Sequence, residues 1–183
     1  APAATPAVEA QPADALTLEE KVGQLFIVRP DALDLSLSQE TINDAKADGV
    51  TTVTNDMRRA LQQYPVGGIC QFGKNIESPS QLARFNKELQ DASATPLFIA
   101  VDEEGGLVAR LANDPAFAVR QYQSAASVGE SGDPAEAMDM GATIGAYLRQ
   151  YGFNLDFAPV MDIWSNPDNT VIAYVNTSAA VKA

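Results

Sequence analysis

Leu97-Phe-Ile-Ala-Val-Asp102-Glu-Glu-Gly-Gly-Leu-Val-Ala-Arg110-Leu111 is the stretch whose reading decides the fold. Leu97 to Val101 is an apolar run of strand length, and it ends abruptly in three carboxylates and two glycines. In α/β proteins, ligands sit beyond the carboxyl ends of parallel strands. An acid held there by a rigid strand can grip a polar substrate. Paired glycines let the backbone turn sharply and let a ligand come close. Arg110 follows Asp102 by eight residues. A solvated acidic turn is the competing reading of this segment taken alone.

The flanking sequence supplies the partners such a strand needs. Gly67-Gly-Ile-Cys-Gln-Phe72 reads as a second strand. Between the two, Ser78-Pro-Ser-Gln81 starts a helix with Pro79 at its first position, where a missing amide costs nothing. Leu82, Phe85 and Leu89 form its buried stripe, and Thr95-Pro96 stops it. Strand, helix, strand at this spacing implies a parallel pair with a right-handed crossover. Upstream, Thr17-Leu-Glu-Glu20 is a capping box, and Leu25–Val28 is a short strand. Residues 31–50 read as mixed helix and loop, and 53–63 as helix. Downstream, Asp133-Pro-Ala-Glu136 opens a helix with Ile144, Leu148 and Tyr151 on one side and Gly152 at its end. Phe153–Val160 is the fourth strand, and Asn166-Pro-Asp-Asn169 a turn. Alternating strands and helices predict a parallel α/β fold.

Composition narrows the chemistry. The chain has 183 residues, 46% of them hydrophobic, enough for one domain with a core. A net charge of −12 repels nucleic acid and anionic lipid. Cys70 is the one cysteine and reads as a small core residue, and there is no histidine. Histidine-dependent triads, histidine metal ligands and a histidine base are therefore excluded. No apolar stretch is long enough to span a bilayer. Residues 1–15, rich in Ala and Pro, read as a disordered linker of the kind left after an export signal is removed. The expectation is an exported bacterial protein, with a tail of no addressing value as the alternative.

Four ordered motifs carry a resemblance. They are Leu16-Thr-Leu-Glu-Glu-Lys-Val-Gly-Gln-Leu25, Gly67-Gly-Ile69, Val101-Asp-Glu-Glu-Gly-Gly106 with Arg110-Leu111, and Gly152-Phe-Asn-Leu-Asp-Phe-Ala-Pro-Val-Met-Asp162. Over residues 16–172 the chain resembles the N-terminal domain of family 3 glycoside hydrolases, in particular the bacterial β-N-acetylhexosaminidase branch. The resemblance implies a TIM-type (β/α) barrel and retaining hydrolysis of β-linked sugars such as N-acetylglucosamine, with no cofactor and no metal. It implies that Asp102 binds sugar hydroxyls, that Arg110 shapes the same pocket and that Asp162 lines it. Capping of the following loop is the competing role for Asp162. Glu103 and Glu104 are expected to point to opposite faces and to support the site without reacting. Trp164 is expected to pack, with stacking on a sugar ring as the alternative.

The match ends after Ile172, and residues 173–183 form an atypical tail. The Lys-His strand, the His-containing acid–base loop and the nucleophile Asp that the family carries have no counterpart in this sequence. The expectation is therefore an incomplete barrel, about its first half, with no catalytic residue of its own. A half-barrel exposes strand edges and an inner face, which predicts self-association or a complementary half. The alternatives are a non-catalytic sugar-binding module and a small flavodoxin-like domain holding Mg²⁺ at Asp102 and Glu103.

Overall fold

The structure, a computed structural model, describes residues 12–160 together with Asn166 and Asp168. A 3-10 turn at Ala13–Ala15 is exposed throughout and leads into α1 (Leu18–Gly23). The predicted capping box is present: the Thr17 side chain accepts from the Glu20 amide, and Glu20 accepts from the Thr17 amide at 2.7 Å. β1 (Ile27–Val28) follows. Residues 31–50 are the expected mixture, with one short helix, α2 (Gln39–Asn43). α3 (Asn55–Gln63) is capped by Thr54 and buries Met57, Ala60 and Leu61.

The central unit forms as the sequence dictates. β2 (Gly68–Gln71) leads to α4 (Pro79–Ala92), whose N-cap Ser78 accepts from Gln81 and whose Leu82, Phe85 and Leu89 are buried. β3 (Phe98–Val101) then lies parallel to β2 in the register Ile69–Ile99, Cys70–Ala100. Beyond Asp102 the chain turns into a small hairpin, β4 (Glu103–Gly105) against β5 (Val108–Ala109). α5 (Ala125–Ser131) and α6 (Pro134–Gln150) follow. Gly152, at φ +87°, ends the helical segment as expected. β6 (Leu155–Asp156) pairs with β3 and is shorter than the predicted 153–160, because only these two residues lie in the ladder.

The sheet order is β1-β2-β3-β6, parallel throughout. Four parallel strands in chain order, linked through helices, make a partial (β/α) barrel. Its two faces differ. Ile69, Ile99 and Val101 point to the helices and join one core with Met57, Leu82, Phe85, Ile144 and Leu148. The edge-to-face pair Phe117–Tyr151, 5.2 Å between ring centres, closes that core beside α6. On the other face Phe98 is 55% exposed, and Phe157, just past β6, is 44% exposed. Among the described residues, nothing covers these rings as the helices cover the outer face.

Candidate functional site

Asp102 is the first residue past β3, and alternation places it on the inner face, two positions beyond Ala100. Arg110 is the first residue past β5. The hairpin carries the chain back so that the two meet, with Arg110 Nη2 donating to Asp102 Oδ2 at 3.3 Å. That return depends on glycine. Gly105 and Gly106 adopt φ of +85° and +59°, a region L side chains avoid. A Cβ at Gly106 would lie 2.4 Å from the carbonyl oxygen of Gln123. The Asp102 and Arg110 side chains stay 25% and 29% exposed, so the pair is reachable from solvent. The guanidinium also sits 5.9 Å over the ring of Phe72, at the end of β2. Its buried Nε meets no acceptor among the described residues. A carboxylate beside a guanidinium with a donor to spare suits a ligand dense in hydroxyls.

Cys70 lies beneath this pair and is buried, as expected for a core residue. Burial, reinforced by the Asp102 charge and opposed by Arg110, pushes its thiol up to about 11. It is therefore a poor nucleophile at neutral pH.

Glu103 points the other way, to the helix side, and is fully buried. Its carboxylate accepts from the amides of Leu111 at 2.9 Å and Ala112 at 2.8 Å, and from the Tyr147 hydroxyl at 2.9 Å. Burial, and next the Glu103 charge, push the Tyr147 phenol well above its usual range, so it remains a donor. These bonds use both oxygens of Glu103, and its side chain and that of Asp102 diverge. This corrects the reading in which the two share Mg²⁺. Among the described residues no cluster of three potential metal ligands is present.

Asp156 is a member of this group that sequence reasoning passed over. It accepts from the Glu103 amide at 3.0 Å. Burial raises its carboxyl to about 6, the bond from the Glu103 amide opposes the rise, and the charges of Glu103, Asp102 and Glu104 add to it. The available signal was an acid inside the apolar run Phe153–Val160.

A cleft of about 410 Å³ opens between α5, α6 and β6, bordered by Glu103, Glu104, Asp156, Met140 and Ile144. Glu103 and Glu104 both border it, while burial alternates along β4, with Glu103 and Gly105 buried and Glu104 half-buried. The chain leaves the sheet at Asp102, and the register shifts between Glu103 and Gly105. This cleft includes neither Asp102 nor Arg110, which belong to the open inner face. Asp162, Trp164 and the tail 173–183 lie outside the described residues. Of the 166–169 turn, Asp168 donates to the Asn166 side chain at 3.0 Å.

Residues 17–183 match the sequence profile of the glycosyl hydrolase family 3 N terminal domain. The chain belongs to this family. It is 32% identical over 140 residues to beta-hexosaminidase A of Pseudoalteromonas piscicida, covering 74% of this chain and 23% of that protein. Its fold is similar to that of a family 3 beta-N-acetylglucosaminidase from Paenibacillus sp. str. FPU-7, with a TM-score of 0.68 and 34% identity, covering 86% of this chain and 27% of that one. NagZ from Neisseria gonorrhoeae, solved with N-trifluoroacetyl-D-glucosamine, gives a TM-score of 0.56 at 26% identity, covering 64% of this chain and 35% of that one. The chain thus spans about a quarter to a third of the length of these family 3 relatives. With the family established, the flavodoxin-like alternative is set aside, and the partial barrel is the family's TIM-type fold. No helix among the described residues is long and apolar enough to cross a membrane.

Proposed function

We propose that this chain is the sugar-gripping part of a retaining β-N-acetylhexosaminidase-type barrel, acting on β-linked N-acetylglucosamine of cell-wall or related fragments. The observation that carries this reading is the Asp102–Arg110 pair, 3.3 Å apart and open to solvent at the carboxyl edge of β3. Asp102 would accept from neighbouring sugar hydroxyls, and Arg110 would donate to the ring substituents beside them. Asp162 joins the same site on the strength of the Gly152–Asp162 motif. The names of the relatives, beta-hexosaminidase and beta-N-acetylglucosaminidase, support the substrate class.

Hydrolysis is assigned to further β/α units of a longer polypeptide or a complementary half. Retaining chemistry needs a nucleophile and an acid flanking the scissile bond, normally two carboxyl groups roughly 5–5.5 Å apart. The histidine-containing acid–base motif that the family resemblance implies cannot come from a chain without histidine. Taken alone, the chain is then a sugar binder without turnover. Export from a bacterial cell remains part of the proposal, tested by fractionating cells that express the gene at its native locus.

Calorimetric titration with N-acetylglucosamine tests the central claim. The expected result is measurable heat from the parent chain and none from Asp102→Ala or Arg110→Ala. Equal heat from parent and variants would overturn the site. Turnover of an aryl β-N-acetylglucosaminide by the purified chain would overturn the assignment of chemistry elsewhere.

A further inference from the structure

Glu103 takes no part in gripping sugar as proposed above, since its carboxylate lies behind the sheet. It nevertheless fixes the backbone around Arg110 from both sides. Ala109, just before Arg110, is its partner in the β4–β5 ladder. Leu111 and Ala112, just after Arg110, donate their amides to its two carboxylate oxygens. Tyr147 of α6 donates to the same carboxylate, and the Glu103 amide donates to Asp156 of β6. A two-stranded ribbon this short, turning on two glycines, has little stability of its own. The Arg110 side chain is 29% exposed and its guanidinium lies over the Phe72 ring. Where it stands relative to Asp102 depends on where the backbone at 109–112 is pinned. Only a carboxylate suits the pin, because an amide side chain would set an NH₂ against one of two backbone N–H donors.

We infer that Glu103 is the positioning residue of the sugar site, holding the Arg110 guanidinium against Asp102 through the backbone of residues 109–112, with Tyr147 anchoring it to α6. The inference rests on the reading of Asp102 and Arg110 as the sugar-gripping pair. Glu103 is buried and turned from the inner face, so it acts on the ligand only through Arg110.

The test pairs N-acetylglucosamine titration with the NMR signal of the Arg110 side-chain Nε–H in the free chain. Four variants are compared: Asp102→Ala, Glu103→Gln, Tyr147→Phe, and Ser78→Ala as a control that removes the α4 cap away from the site. Glu103→Gln is expected to weaken binding about tenfold, the scale of one lost charge-assisted hydrogen bond, and to shift and broaden the Arg110 signal. Tyr147→Phe shifts both in the same direction by less, and Ser78→Ala leaves both at parent values. A parent-like Arg110 signal and affinity in Glu103→Gln overturn the inference. If that variant does not fold, the same parent-like result in Tyr147→Phe overturns it. Undiminished binding by Asp102→Ala instead sinks the sugar reading, and the Arg110 signal then still decides whether Glu103 positions the guanidinium.

Discussion

The phenol of Tyr147 donates to the carboxylate of Glu103 across 2.9 Å, and both partners are buried. It links α6 to the hairpin over a separation of 44 residues. Tyr147→Phe removes the donor and leaves a buried charge with two hydrogen bonds instead of three. The expected cost is about 1–3 kcal/mol, read as a lower urea midpoint at unchanged slope. A midpoint equal to the parent's would mean that water or another donor satisfies Glu103.

Asp156 gives the fold a pH dependence of defined sign. Its carboxyl titrates near 3.8 when unperturbed and at about 6 in the fold. Below about pH 4 it is protonated in both states and favours neither. Between about pH 4 and 6 the unfolded chain has released this proton while the folded chain still holds it, so stability falls across that window and stays lower above it. With the group partly exposed, the loss is about 1–2 kcal/mol. Asp156→Asn keeps an acceptor for the Glu103 amide and removes the charge. It is expected to match the parent at pH 4 and exceed it by that amount at pH 8, in denaturant titrations at both pH values.

The parts legible in the sequence are those fixed by near neighbours. Ser78 with Pro79, Thr17 with Glu20, and Gly152 set helix ends through contacts a few residues away. The apolar runs at 68–71 and 98–101 paired as read because both faces of a parallel strand favour such runs. The meeting of Arg110 and Asp102 was implied by the family resemblance, and the two glycines between them permit the return that achieves it. The Glu103–Tyr147–Asp156 group was not. Its members are 44 and 53 residues apart, and each carries an ordinary residue type in an ordinary element. Only the packing of α6 against the sheet brings them together. The cluster of Asp31, Lys74 and Asn75 was missed likewise, because no periodicity marks a buried ion pair spanning two loops.

Gly106→Ala tests whether the hairpin return is as tight as its geometry requires. The new methyl would enter the left-handed region and meet the Gln123 carbonyl at 2.4 Å. The expected cost is about 1–3 kcal/mol, with loss of the Asp102–Arg110 contact. Thermal denaturation reads the first, and sugar titration the second. A variant as stable as the parent and binding equally would show that the turn can relax without moving Arg110.

The Asp31–Lys74 pair anchors the loops after β1 and β2, which border the same edge of the sheet as Asp102. Lys74 Nζ lies 3.4 Å from Asp31 Oδ1, and the two side chains are 11% and 1% exposed. Asn75 Nδ2 and the Val50 amide complete the carboxylate at 3.0 Å and 3.2 Å. Breaking such a pair from one side strands a buried charge, whereas replacing both partners removes the charge as well. Lys74→Met is therefore expected to destabilise by about 3–5 kcal/mol. The double variant D31N/K74M should recover part of that loss, since an asparagine carbonyl still accepts from Val50 without needing a counter-charge. A double-mutant cycle in urea measures the difference. If K74M and D31N/K74M unfold at the same midpoint, the lysine contributes packing and carbonyl contacts to Ile42 and Asp44 rather than charge neutralisation.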